Sequence, residues 1–138
     1  MIVKDLMTAG VVTIGPDASM QEAVEKILAG RFRRIPVVAG GRVVGIITDR
    51  DIRQTLNSPA LVRDRSYDDY LLNEVTVAGS MTPDPFTIRS DAPVVEAATA
   101  MESRKIGGLP VVDDGALVGI ITESDLLQYL SKLLRSDR

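Results

Sequence analysis

Two four-residue segments carry the side chains best suited to chemistry in this sequence, Thr48-Asp49-Arg50-Asp51 and Thr122-Glu123-Ser124-Asp125. In each, a hydroxyl and a carboxylate stand three positions apart. An ionised aspartate only accepts hydrogen bonds and has room for several donors, and a hydroxyl at a helix start suits an anion. The same Thr-x-x-Asp spacing is also a capping box, in which the two side chains satisfy orphan backbone donors of the first helical turn. Both roles are open on these residues, and they can coexist, since a cap would pre-position the carboxylate. A third candidate is the basic run Arg31-Phe32-Arg33-Arg34, which suits phosphate, surface ion pairs or a solvated edge.

Much other chemistry is excluded by composition. With no histidine and no cysteine, a Cys/His zinc site, a thiolate nucleophile and a Ser-His-Asp triad are unavailable. The paired acids Asp113-Asp114 and Asp68-Asp69 sit in turn or linker contexts, poor settings for acid/base work. Gly40, Gly41 and Gly45 lack the spacing of a dinucleotide-binding fingerprint, and no G-x-x-x-x-G-K-[ST] phosphate loop occurs. The chain is therefore not expected to be an enzyme. A net charge of −3 argues against nucleic acid as a partner, because phosphate backbones are held mainly by accumulated Lys and Arg.

The 138 residues are 45% apolar and 25% charged, a globular balance, and no run approaches the roughly 20 apolar residues of a membrane span. The opening Met1-Ile2-Val3-Lys4-Asp5 does not resemble a signal peptide. A soluble protein with no membrane role, located in the cytoplasm, is expected. Half of such a chain is small for an independent core, so the two halves are expected to fold against each other.

The elements that must position the candidate residues occur twice. From Met7/Met81 to Ile52/Leu126 the sequence matches itself without a gap at an offset of 74, with 18 of 46 paired positions identical. Residues 11–14 read as a short strand, and Ser19-Met20-Gln21-Glu22 as a capping box opening a helix whose apolar stripe is Met20, Ala23, Val24, Ile27 and Leu28. Gly30 is the expected stop. Residues 35–38 and 43–47 read as a hairpin around Ala39-Gly40-Gly41-Arg42, and a second helix starts near Thr48 or Asp49. The second copy predicts strand 86–88, helix 93–103, hairpin strands 109–112 and 117–121 around Asp113-Asp114-Gly115, and a helix to about Leu134. Residues 1–56 are repeat 1, 57–74 an exposed linker after a helix end, and 75–138 repeat 2. Gly45 and Gly119 suggest close backbone packing, and Met7, Met20, Met81 and Met101 core filler.

The Met-Thr openings (Met7-Thr8, Met81-Thr82), the Pro-Val-Val strands and the repeated Gly-Ile-Ile-Thr-x-x-Asp over Gly45–Asp51 and Gly119–Asp125 together closely resemble a tandem pair of cystathionine-β-synthase (CBS) domains, a Bateman module, over about 130 residues. The resemblance implies an α/β (α+β) fold of two β-α-β-β-α units packed sheet to sheet about a pseudo-twofold axis. It further implies clefts for an adenosine-containing ligand: AMP first, with ADP, ATP or S-adenosylmethionine as alternatives. No catalytic cofactor is implied.

Carried over by residue, Asp51 and Asp125 match the family's ribose-binding aspartates, and Thr48 and Thr122 the hydroxyls near ribose or phosphate. Val11, Val12, Pro85 and Phe86 match adenine-slot positions. Arg33-Arg34 before Ile35-Pro36, and Gly107-Gly108 before Leu109-Pro110, match positions near ribose and phosphate. The resemblance would combine Val11, Val12, Arg33, Arg34, Ile35, Thr122, Ser124 and Asp125 in one site. It would combine Pro85, Phe86, Gly107, Gly108, Thr48, Arg50 and Asp51 in the other. The site with Arg33 and Arg34 is expected to hold phosphate more strongly, since guanidinium forks bond phosphate bidentately. For Pro36 and Pro110 a strand-start and core role competes with ligand contact.

The resemblance also suggests a homodimer, with Leu126, Leu127, Leu130, Leu133, Leu134, Ile52 and Leu56 as a possible apolar surface, and a regulatory module acting in trans on a protein partner. A structural or oligomerising module, its Thr-x-x-Asp motifs serving only as caps, is the alternative.

Overall fold

The computed structural model describes residues 1–56 and 65–136. In chain order these form α1 (Val3–Leu6), α2 (Met20–Gly30), β1 (Arg34–Ala39), β2 (Arg42–Thr48), α3 (Asp49–Leu56) and α4 (Arg65–Glu74). There follow α5 (Val77–Ser80), β3 (Thr82–Pro83), α6 (Val94–Arg104), β4 (Gly108–Asp113), β5 (Ala116–Thr122) and α7 (Glu123–Ser136). Apart from α4 and the two-residue β3, the duplication yields the same order twice: short helix, helix, hairpin, helix.

Both hairpins form where runs of apolar, β-branched residues flank a glycine-bearing turn. β1 pairs with β2 antiparallel, Ile35 opposite Ile47 and Pro36 opposite Ile46, with a register shift after Val37. β4 and β5 repeat this pairing and its irregularity after Val111. The turns work because Gly40, Gly41 and Gly115 adopt positive φ (58°, 77° and 85°), which glycine does without a Cβ penalty.

The expected strands at 11–14 and 86–88 shrink to single residues. Ile14 bridges Val37 and Ile88 bridges Val111, each parallel. Tight turns follow at once, closed by Ala18 N to Gly15 O at 3.3 Å and by Ala92 N to Arg89 O at 3.2 Å, so the chain leaves the sheet before a ladder can extend.

Helix α2 begins at Ser19, whose side chain accepts from Glu22 N at 3.2 Å. It ends at Gly30, with Arg31 left-handed at φ 56°. Helix α6 runs Val94–Arg104 and ends with Lys105 likewise left-handed. The region expected to be an exposed linker, 57–74, contains α4, and Leu72 and Val75 pack on a core. Within this helix Tyr70 is exposed, as expected, while Leu71 and Leu72 are half-buried. The turn-prone Asn57-Ser58-Pro59 lies outside the described residues.

The compact units do not coincide with the two sequence repeats. One consists of Met1–Val11 with Phe86–Arg138, the other of Val12–Pro85. In the first, Val3, Ile88, Ala97, Met101, Leu109, Val111 and Ile121 form the core, with Met7 against it. In the second, Ile14, Met20, Ala23, Ile35, Val37, Ile47, Ile52 and Val77 do so, with Met81 against it. Val3 and Val77 stand 74 residues apart and both are fully buried, a burial worth roughly 1.5–3 kcal/mol for such a side chain. The opening segment of each copy is therefore a core element of the unit built mainly from the other copy. Val3 N donates to Ala92 O at 2.8 Å, and Thr8 and Ile120 exchange backbone bonds at 2.9 and 3.0 Å. Val77 N donates to Ala18 O at 2.8 Å.

The two motif glycines mark where these segments cross a strand. A Cβ at Gly119 would lie 2.8 Å from both Met7 Sδ and Thr8 O, and one at Gly45 would strike Met81 Sδ and come within 3.0 Å of Thr82 O. Gly45 and Gly119 have no positive φ, so close approach, not backbone conformation, explains them.

Candidate functional site

Each hairpin delivers its candidate residues to one end. In the Val12–Pro85 unit, Arg34 pairs with Thr48 across the sheet, and Asp49 N donates to Arg33 O at 2.9 Å. The pre-proline arginines thus flank the start of α3. In the other unit Gly108 pairs with Thr122, and Glu123 N donates to Gly107 O at 3.0 Å. Neither Gly107 nor Gly108 has positive φ. Gly108 is buried opposite Thr122, and neither glycine brings a side chain to this end of the hairpin.

The Thr-x-x-Asp motifs form caps in both units. Asp51 Oδ2 accepts from Thr48 N at 2.9 Å and Thr48 Oγ1 at 3.0 Å, while Asp51 N donates to Thr48 Oγ1 at 3.0 Å. The counterpart bonds at Thr122 and Asp125 are 2.8, 3.1 and 3.4 Å. Both aspartates are half-buried. Their carboxylates are held in one orientation, with Oδ2 committed to the cap and Oδ1 turned to other donors. At Asp51 this second oxygen accepts from Thr82 Oγ1 at 3.3 Å. At Asp125 no bond reaches it among the described residues. Arg50 and Ser124, between the motif residues, are exposed.

The remaining expected residues fall into two groups. Ile35, Pro36, Leu109 and Pro110 are fully buried in the cores, which favours the strand-core role for both prolines. Val12 and Phe86 are exposed, at 42% and 40%, and Val11 and Pro85 are half-buried. Phe86 carries the Arg104 guanidinium 4.1 Å above its ring centroid, a cation–π contact. It also borders a shallow cavity of about 240 Å³ with Ile88, Arg89, Asp91 and Glu96, which none of Gly107, Gly108, Thr122, Ser124 or Asp125 lines. The two combinations of residues implied by resemblance each draw on both compact units.

Sequence reasoning missed three participants. Thr82 was noted only as part of a Met-Thr opening, and nothing in its spacing relates it to Asp51. Arg104 stands far from Phe86 in sequence. Ser90 donates from N and Oγ to Asp113 at 3.0 and 2.5 Å, tying the loop after Ile88 to the β4–β5 turn. These bonds hold the Asp113 carboxyl below the usual carboxylate range, the Ser90 hydroxyl contributing most. Asp91, through a 3.1 Å bond, and Asp114 raise the pKa of Arg89 further.

Among the described residues, no group of three or more Asp or Glu side chains could hold a metal ion, and no helix is long and apolar enough to cross a membrane.

Two hairpin-and-helix units, each opened by the other copy's segment and each ending in a capped Thr-x-x-Asp, define a tandem repeat pair. The CBS-domain family model matches the chain twice, over residues 3–58 and 73–132, and the chain belongs to that family. It is 40% identical over 136 residues to a CBS domain-containing protein of Dictyostelium discoideum, covering 97% of this chain and 94% of that one. Among solved structures it is similar to the CBS domain pair of protein MJ0100 in complex with 5′-methylthioadenosine and S-adenosyl-L-methionine. There the TM-score is 0.82 at 29% identity, over 96% of this chain and 97% of that one. It is also similar to CBSX2 in complex with AMP, with TM-score 0.80, 25% identity and coverage of 95% and 97%. In several other curated relatives the chain spans half or less of the relative's length.

Proposed function

We propose that this chain is a regulatory module that senses an adenosine-containing nucleotide, AMP first, with ADP, ATP and S-adenosylmethionine as competitors, and acts in trans on a protein partner without catalysing a reaction. The observation that carries it is the Asp125 carboxylate. It is fixed by Thr122 through one oxygen, while the other accepts no bond among the described residues. A vicinal diol needs such an acceptor. AMP and S-adenosylmethionine complexes of similar CBS pairs support the ligand class.

The test is native mass spectrometry of freshly purified protein, followed by calorimetric titration with AMP, ADP, ATP and S-adenosylmethionine. A co-purifying mass matching one of these, or saturable binding of one, supports the proposal. Absence of both sinks it.

The homodimer and a cytoplasmic location belong to the same proposal. No residue of helix α7 is fully buried, and Leu127, Leu130, Leu133 and Leu134 are 62%, 46%, 44% and 59% exposed. The surface expected from sequence is narrower here, because Ile52, Leu56 and Leu126 pack on the cores. Conversion of Leu130 and Leu134 to Glu should halve the mass measured by light scattering.

A structural module without a small ligand is favoured by the complete caps in both copies. A thermal-shift panel separates the two, since a ligand bound only by the folded state raises stability by RT ln(1 + [L]/Kd).

A further inference from the structure

Repeat symmetry gives each unit an opening threonine, but among the described residues only Thr82 reaches a motif carboxylate. Thr82 and Thr8 occupy equivalent positions in the Met-Thr openings. Thr82 lies in β3, paired with Ile46, and Pro83 pairs with Gly45. Asp84 N then donates to Val44 O at 3.2 Å, pinning the segment along β2. Thr8 makes a single bridge to Ile120, after which Ala9 and Gly10, the latter at φ 65°, turn the chain away. The proline at 83 fixes φ where the first copy has alanine. This difference accompanies the 3.3 Å bond from Thr82 Oγ1 to Asp51 Oδ1, which has no counterpart at Asp125 among the described residues.

An ionised carboxylate offers about four acceptor positions. At Asp51 two are used by Thr48 and a third by Thr82. At Asp125 the two used are both taken by Thr122, and both lie on Oδ2. A vicinal diol donates two protons. Asp125 can receive both, whereas Asp51 can receive both only by releasing Thr82.

We infer that Thr82 is a specificity-determining residue: it limits Asp51 to one hydroxyl of a ribose-containing ligand and leaves Asp125 as the acceptor that reads the complete diol. This rests on the adenosine reading above. Thr82 acts through Asp51 as a positioning residue, and its position is exposed, so substitutions there need not disturb a core.

The experiment compares AMP with 2′-deoxy-AMP by calorimetry. In an Asp125→Asn background, which isolates Asp51, the two probes should bind within about twofold of each other. Adding Thr82→Val or Thr82→Ala should raise AMP affinity by roughly tenfold or more, the scale of one hydrogen bond to a charged acceptor, and leave 2′-deoxy-AMP unchanged. Thr82→Ser should keep the low ratio, and Asp51→Asn should abolish the gain. In wild type, preference for AMP should depend on Asp125.

A ratio unmoved by both Val and Ala, moved equally by Ser, or persisting with Asp51→Asn overturns the role of Thr82. If wild type meanwhile binds AMP through Asp125, the adenosine reading survives. If no variant and no wild type binds AMP, that reading falls and this inference with it.

Discussion

Thr122 and Asp125 hold one another across the start of α7: amide and hydroxyl of Thr122 donate to a single carboxylate oxygen at 2.8 and 3.1 Å, and Asp125 N returns a bond to the hydroxyl at 3.4 Å. Cap and candidate acceptor are one side chain, so stability and binding must be separated by substitution. Thr122→Val removes the two hydroxyl bonds of the cap while sparing the carboxylate and the backbone bond to it, and should cost about 1 kcal/mol of stability, measured by denaturant unfolding. Asp125→Ala removes both functions and should lower AMP affinity more than tenfold. Asp51→Ala should leave the tighter AMP site measurable by calorimetry, and the reverse pattern would contradict the assignment of Asp125 to that site.

Gly119→Ala should destabilise the protein by roughly 1–3 kcal/mol, the usual cost of overpacking. Its new methyl would meet Met7 Sδ and Thr8 O, both 2.8 Å away. Met7→Ala in the same chain should recover only part of this, because the Thr8 carbonyl cannot rotate aside. Full recovery in the double variant would mean that the backbone crossing is looser than described.

Asp113 gives a pH dependence of definite sign. Its folded pKa is depressed, chiefly by the Ser90 hydroxyl and then by the Ser90 amide. The linked stabilisation is therefore present above the unfolded value near 4 and is lost as pH falls through the lower folded value. Asp113→Asn and Ser90→Ala should each flatten the acid limb of the melting-temperature profile below about pH 4. An acid limb parallel to that of wild type would rule the contact out as a contributor.

Lys105 closes α6 in the left-handed region at φ 56°, which costs a non-glycine residue roughly 1–2 kcal/mol. Lys105→Gly relieves this, offset by glycine's greater entropy loss of about 0.5–1 kcal/mol. The net expectation is a melting temperature higher by about 2 °C. A decrease would show that the lysine side chain contributes more than its backbone conformation costs.

Hairpins, motif helices and caps were legible in the sequence because they are local. Ser19 with Glu22, Thr48 with Asp51, and the glycines at 40, 41 and 115 carry their partners within a few positions. Strand length at Ile14 and Ile88 was not legible, since β-branched flanks promised ladders that the following turns cut short. Leu126 and Ile52 were expected on an outer face, but an apolar stripe does not say which of its members face the core. The carboxylate acceptors were legible by type, whereas Thr82's hold on Asp51 depends on where a two-residue strand passes, 31 positions away. The same blindness hides the exchanged opening segments. An offset of 74 leaves every copy equivalent and cannot say on which one Val3 or Val77 packs.

That exchange puts the unit of duplication and the unit of folding out of phase. A cut at 56 or 75, following the repeat, would strip each half of a buried valine and of the segment crossing its motif glycine. A cut after Val11 and another after Pro85 would release an uninterrupted stretch, Val12–Pro85, that carries its own core, its own glycine crossing and one complete Thr-x-x-Asp. The other unit has no such contiguous form, and reconstituting it on one chain would require Met1–Val11 to be joined ahead of Phe86.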